Sequence, residues 1–158
     1  MSKANRKKHL QRLQKATLQK YDQVKLADAI THLCKPFASD RLDFDSHYNL
    51  MALGVAAWNI ALSANLEDRK VNLVSVLAAL PEFGQPFEPD TNVFFDIQPL
   101  MQGSSESIMK CCLVAELMKR KDELYPNDER HIVDFTFAPT PKGSQLQIKS
   151  LIPKRSGG

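Results

Sequence analysis

The chain has 158 residues, 43% hydrophobic and 25% charged, with three cysteines and a net charge of +3. That suits one globular domain able to bury roughly two-thirds of its chain surface without disulfides or metals. No stretch reaches the roughly 18–20 apolar residues of a membrane span, and no apolar core follows the basic start as in a signal peptide, so a cytoplasmic protein without membrane contact is expected. Cys34, Cys111 and Cys112 form no CxxC or Cys/His ligand spacing, which fits buried thiols in a reducing compartment.

The charge is unevenly distributed. Residues 1–20 hold Lys3, Arg6, Lys7, Lys8, Arg12, Lys15 and Lys20 and no acid, for +7. The other 138 residues hold 14 basic and 18 acidic side chains, for −4. Residues 3–34 lack Gly and Pro and read as helix. Leu10, Leu13, Thr17, Tyr21 and Val24 fall within about 60° of one line on a helical wheel, opposite Lys8, Arg12 and Lys15. Beyond Val24 the apolar stripe shifts to Leu26, Ala29, Ile30 and Leu33, which predicts a bend or a helix whose second half is buried on a different face. The organisation expected is a basic amphipathic helical arm over 1–25, continuous with a single α+β domain over 26–153, then a flexible tail over 154–158.

Lys35-Pro36 ends the first helix, because the residue before proline avoids helical geometry. A second helix over 46–64, capped by Asp45 or Ser46, is apolar on nearly every side and therefore belongs at the centre. A third is expected over 67–80. Residues 81–92 carry Pro81, Gly84, Pro86 and Pro89 and read as a loop. Residues 92–100 fit either a strand, by the alternation of Val93, Phe95 and Ile97, or a short helix capped at Asp90 or Thr91 and closed by Pro99. A helix over 105–124, capped by Ser104, ends in Lys119, Arg120 and Lys121, which suits its negative end. The period then changes to two. Val133, Phe135 and Phe137, then Leu146 and Ile148, predict a β-hairpin with a longer loop over Pro139–Gly143, packed on the helices. The fold class is thus α+β, mainly α, with helices around an apolar central helix.

Motifs for nucleotide, hydrolase or metalloprotease chemistry are absent from the sequence. Asp40, Asp43, Asp45 and His47 offer oxygen and nitrogen donors close together, but the spacing lacks the glycine and closing glutamate of an EF-hand loop. Their simplest role is to cap the following helix; the sharper one is a small metal-assisted enzyme centred on Asp43, Asp45 and His47. His131 stands beside Asp128, Glu129 and Arg130, with no nucleophile to pair with it. Asn59, next to Trp58 in the most apolar helix, must have its amide satisfied, by backbone of a neighbouring loop or hairpin or by a ligand.

The basic segment is the strongest functional signal. Arg6, Lys7, Lys8, Arg12 and Lys15 suit contact with the phosphates of a nucleic acid or ribonucleoprotein, without reading its sequence. Leu10, Leu13, Tyr21 and Val24 offer the alternative of a protein partner, as an antitoxin-like or subunit contact or a homo-oligomer. A non-enzymatic interaction module without cofactor is the expectation that follows.

Overall fold

The computed structural model describes residues 25–152. They form five α-helices followed by a two-stranded antiparallel hairpin, an α+β fold that is mainly α. Helix α1 spans Leu26–Cys34 and buries Leu26, Ala29, Ile30, Leu33 and Cys34 on one side. The helix expected over 3–34 is cut at Lys25, whose φ of −57° and ψ of 136° are extended; what precedes it lies outside the described residues. A 3-10 turn over Lys35–Phe37 carries the chain past Pro36.

Helix α2, Phe44–Ala61, is the centre of the molecule and packs against α1 and three later elements. Its cap is neither of the residues expected: the Asp43 carboxylate accepts the Ser46 N–H at 2.8 Å. Hydrogen bonding from Ser46, its side chain first and its N–H second, holds the Asp43 carboxyl below the usual carboxylate range. Leu50, Leu53, Ala57 and Trp58 are fully covered, which explains the apolar character seen on nearly every side. Gly54 permits the close approach of α1. A β-carbon there would lie 2.6 Å from Cys34 Sγ and 3.3 Å from Ile30 Cγ2.

Helix α3, Leu66–Leu77, is capped by Asn65, whose side chain accepts from the N–H groups of Glu67 and Asp68. It buries only Leu73 and Leu77 and leaves Val71 and Val74 exposed, so it is an outer helix. The ambiguous stretch resolves as helix: α4, Thr91–Ile97, is capped by Asp90 and continues into a 3-10 turn over Gln98–Met101. Helix α5, Ile108–Leu124, starts three residues later than expected because Ser107, not Ser104, accepts from the Lys110 N–H. Ser104 instead turns the preceding loop by accepting from the Glu106 N–H.

Strands β1, His131–Thr140, and β2, Gly143–Leu151, form the hairpin. The loop is tighter than the sequence suggested, with only Pro141 and Lys142 between Thr140 and Gly143. Pro141 supplies the φ of a first turn position, and Gly143, at φ 110°, takes up the twist that no side-chain-bearing residue here adopts. The alternation also breaks once. Ile132 pairs with Ser150 and Asp134 with Lys149, so Val133 is an extra residue, a β-bulge. This shift places Ile132 in the core and turns Val133 outward. The core face, with Ile132, Phe137 and Leu146, rests on α2 through β1 and on α1 through β2.

Replacing Gly54 with Ala is expected to lower stability by about 1–2 kcal/mol, because overpacking outweighs the helix propensity gained. Adding Cys34→Ala to Gly54→Ala should recover part of that loss, read as positive coupling in a double-mutant cycle of urea unfolding.

Candidate functional site

The residues of the basic segment (Arg6, Lys7, Lys8, Arg12 and Lys15) and of its apolar stripe (Leu10, Leu13, Tyr21 and Val24) lie outside the described residues. The body that follows is acidic. Residues 25–152 carry 12 basic and 17 acidic side chains, a net −5. Many of those bases serve the fold. Arg69 forms a two-bonded pair with Asp122 and also donates to the carbonyls of Ala61 and Ser63. Lys110, 4% exposed, meets Glu106, Glu82 and the Leu80 carbonyl. Arg120 donates to the carbonyls of His32 and Leu33, closing the C-terminal end of α1. By contrast Asp28, Asp45, Glu88, Glu123 and Glu129 make no ion pair among the described residues.

The acidic loop does not assemble into a centre. The Asp43 carboxylate is held by the α2 cap, and Asp40 and Asp45 are exposed. The His47 ring stands edge-on to Phe137, 4.7 Å between centroids, and partial burial lowers its pKa. His131 is exposed at the first hairpin pair, opposite Leu151. Among the described residues no three His, Cys, Asp or Glu side chains are grouped to hold a metal ion. Around His47 the surface is aromatic: Phe44 stacks on Phe137 at 5.4 Å and Tyr48 lies 5.7 Å from Phe135.

The thiols are poor nucleophiles. Cys34, Cys111 and Cys112 are all buried and free, and burial pushes the first two up to about 12.

A dense polar group lies instead where α2 meets the start of β1. Trp58 Nε1–H donates to the Arg130 carbonyl at 2.7 Å. The Asn59 amide donates to the Ile132 carbonyl at 2.8 Å, and its oxygen accepts the Ile132 N–H at 2.9 Å. One side chain thus fills both main-chain positions of a missing neighbouring strand. The backbone satisfaction expected for Asn59 is what the structure contains. Around it sit residues whose part in this group the sequence did not show. Lys121, 3% exposed, lies 4.8 Å from the centre of the Trp58 ring and donates to the carbonyls of Tyr125 and Asp128. Burial lowers its pKa, opposed by the Asp128 carboxylate. Arg130 and Asp128 form a buried pair, Nη2 to Oδ2 at 2.6 Å. Tyr125 Oη meets His32 Nδ1 at 2.8 Å, tying α1 to the end of α5. The signal was spacing: Lys110, Val114, Leu117 and Lys121 recur at helical intervals, so both lysines stand on the buried side of α5. The side chains of this group bond to one another and to main-chain carbonyls, which makes it a joint between elements.

Between α3, α4 and α5 an open cleft of about 200 Å³ is floored by Leu73, Ile97, Ala115 and Met118 and edged by Arg69, Lys70 and Lys119. That is smaller than the roughly 300–1,000 Å³ of pockets that enclose a cofactor or drug-sized ligand. Beside it, one Glu116 oxygen accepts the Asp90 N–H at 2.8 Å while the other is buried without a hydrogen bond. Burial raises the Glu116 pKa. No described helix is long and apolar enough to cross a membrane. Comparison with known proteins gives no relative: no family model, no curated protein and no solved structure matches the chain.

Asn59→Ala leaves the Ile132 N–H and carbonyl without partners and is expected to cost about 2–4 kcal/mol in urea unfolding, with amide exchange at Ile132 rising first. For Glu116 the folded-state pKa is raised, so the neutral form stabilises the fold. That contribution is complete below the ordinary value of 4.5 and is lost as pH climbs through the raised one. Melting temperatures recorded across this window should fall for the wild type relative to Glu116→Gln; parallel curves for the two proteins would refute the assignment.

Proposed function

We propose that this chain is a non-enzymatic interaction module that meets a nucleic acid or ribonucleoprotein through its basic N-terminal segment, with Arg6, Lys7, Lys8, Arg12 and Lys15 as the contacts. The separation of charge carries this reading. Residues 1–20 hold seven bases and no acid, whereas residues 25–152 are net −5 and tie several of their own cations into internal bonds. A body so charged repels a polyanion, so attraction must come from the segment that precedes it. Lysines and arginines there displace counterions from phosphates and fix position without reading bases. The acidic body sets a limit on how closely the polyanion can wrap, which favours a short contact over an extended one.

The support is thinner for an enzyme. Asp43 is committed to a helix cap and His47 to an aromatic contact. A site centred on them needs groups free to reach a metal or substrate, and the described residues do not bring three such groups together.

Binding to a labelled DNA duplex, followed by fluorescence anisotropy, should weaken steeply with salt; five phosphates neutralised correspond to a slope near −4.5 in log K against log salt, roughly 0.9 per contact. Reversing Arg6, Lys7, Lys8, Arg12 and Lys15 to Glu should abolish binding and leave the circular dichroism spectrum and melting temperature of the domain in place. Equal affinity for wild type and the reversed variant would dismiss the reading.

A further inference from the structure

The two edges of the hairpin are built differently. The β1 edge carries three devices that prevent another strand from pairing with it. Asn59 occupies both main-chain groups of Ile132, Val133 bulges, and Pro139 has no N–H to offer. The β2 edge carries none of them. Gly143–Leu151 contains no proline, no bulged residue and a single charge, Lys149. Among the described residues no main-chain group from outside the hairpin bonds to it. Its helix, α1, supports the core face, and Gln145, Gln147, Lys149 and Leu151 are exposed on the other.

We propose that this edge is a self-association surface, on which β2 of a second copy pairs antiparallel about a two-fold axis through Gln147. The two hairpins then form one four-stranded sheet. The occupant follows from the strand's own register. Pro139 faces Ser144, so this is a pair whose main-chain groups point away from each other. By alternation Ser144, Leu146 and Ile148 turn their N–H and carbonyl groups toward the open edge. An axis at Gln147, the middle of the nine-residue strand, brings Leu146 opposite Ile148 of the second copy in both directions. Open donors then meet open acceptors, and two core-facing apolar side chains carry the inner layer across the junction. A slip of one residue would set Leu146 beside Gln147 and mix the two faces. The outer face is equally compatible: Lys149 lies opposite Gln145, away from its own counterpart, and Leu151, 62% exposed as it stands, lies over Gly143. With no acid on β2, no like-charged pair meets anywhere along the strand. The inference is independent of the basic segment and of what that segment binds.

Gln147 is the residue that meets itself across the axis, and its side chain is exposed, so it can be charged without touching the core. Sedimentation of the full chain over a range of concentrations should reveal a reversible dimer. Gln147→Lys and Gln147→Glu each put like charges face to face and should raise the dimer dissociation constant roughly fivefold. An equimolar mixture of the two variants should return it to the wild-type value or below. Circular dichroism of each variant, matching wild type, separates lost association from lost folding. A wild-type chain that sediments as a monomer throughout overturns the proposal. So does a dimer unmoved by either substitution, or a mixture no tighter than the single variants.

Discussion

The docking of β1 onto α2 through Trp58 and Asn59 is the contact on which the rest of the structure depends. A helix as apolar as α2 needs cover on most of its sides, and α1, α3, α5 and β1 all pack on it. The hairpin is part of that cover, yet a two-stranded hairpin is marginal alone in water. Asn59 reconciles the two needs, because a carboxamide has the same donor and acceptor as a peptide group. It pairs with Ile132 as a third strand would, at 2.8 and 2.9 Å, and Trp58 adds a bond at Arg130 two residues upstream. The helix therefore supplies apolar surface and strand-like hydrogen bonding from consecutive residues.

Around this contact the protein uses cations as internal fasteners. Arg120 and Lys110 direct donors at carbonyl groups of distant segments, and Lys121 at those of the turn that ends its own helix. Burying an ammonium group is costly, and the cost is tolerable only where every donor has an acceptor. Lys121 meets that condition with two carbonyls and the face of Trp58. The consequence for the exterior is electrostatic. Cations drawn inward no longer offset carboxylates outside, and the surface of the body becomes acidic even though the whole chain is basic.

The parts of this arrangement that the sequence revealed are those governed by a single period or a single punctuating residue. The central helix was legible because few helices lack a polar side, and the hairpin because the period changes to two after Glu129. Asn59 was legible as a group in need of main-chain partners. Helix starts were displaced by two or three residues where two capping residues stood close together: Asp43 rather than Asp45 or Ser46, and Ser107 rather than Ser104. Local sequence does not rank such rivals, since tertiary packing selects the first turn. The bulge at Val133 was invisible for a related reason. Val133, Phe135 and Phe137 alternate without a break, and only the choice of Ile132 for the core shows that one residue is extra. The two-residue turn was hidden because Pro139 suggested a loop, whereas a proline on an outer edge can remain in a strand. Lys121 was legible only as a favourable charge at the negative end of its helix and Arg130 only as a neighbour of His131; their burial depends on the turn at Asp128, whose carbonyl and carboxylate hold them.

The tight turn and the tie to Asn59 also bear on the order in which the chain takes shape. The bonds from Trp58 and Asn59 span 72 and 73 residues of sequence. The hairpin itself is local, and its two strands can meet within microseconds of being available. The helices can collapse early around α2, but two polar groups in their midst stay hydrated until residues 130–132 arrive. During synthesis this last piece emerges after everything it must complete. Trp58 and Asn59 therefore gain their hydrogen-bond partners only when residues 130–132 have been delivered.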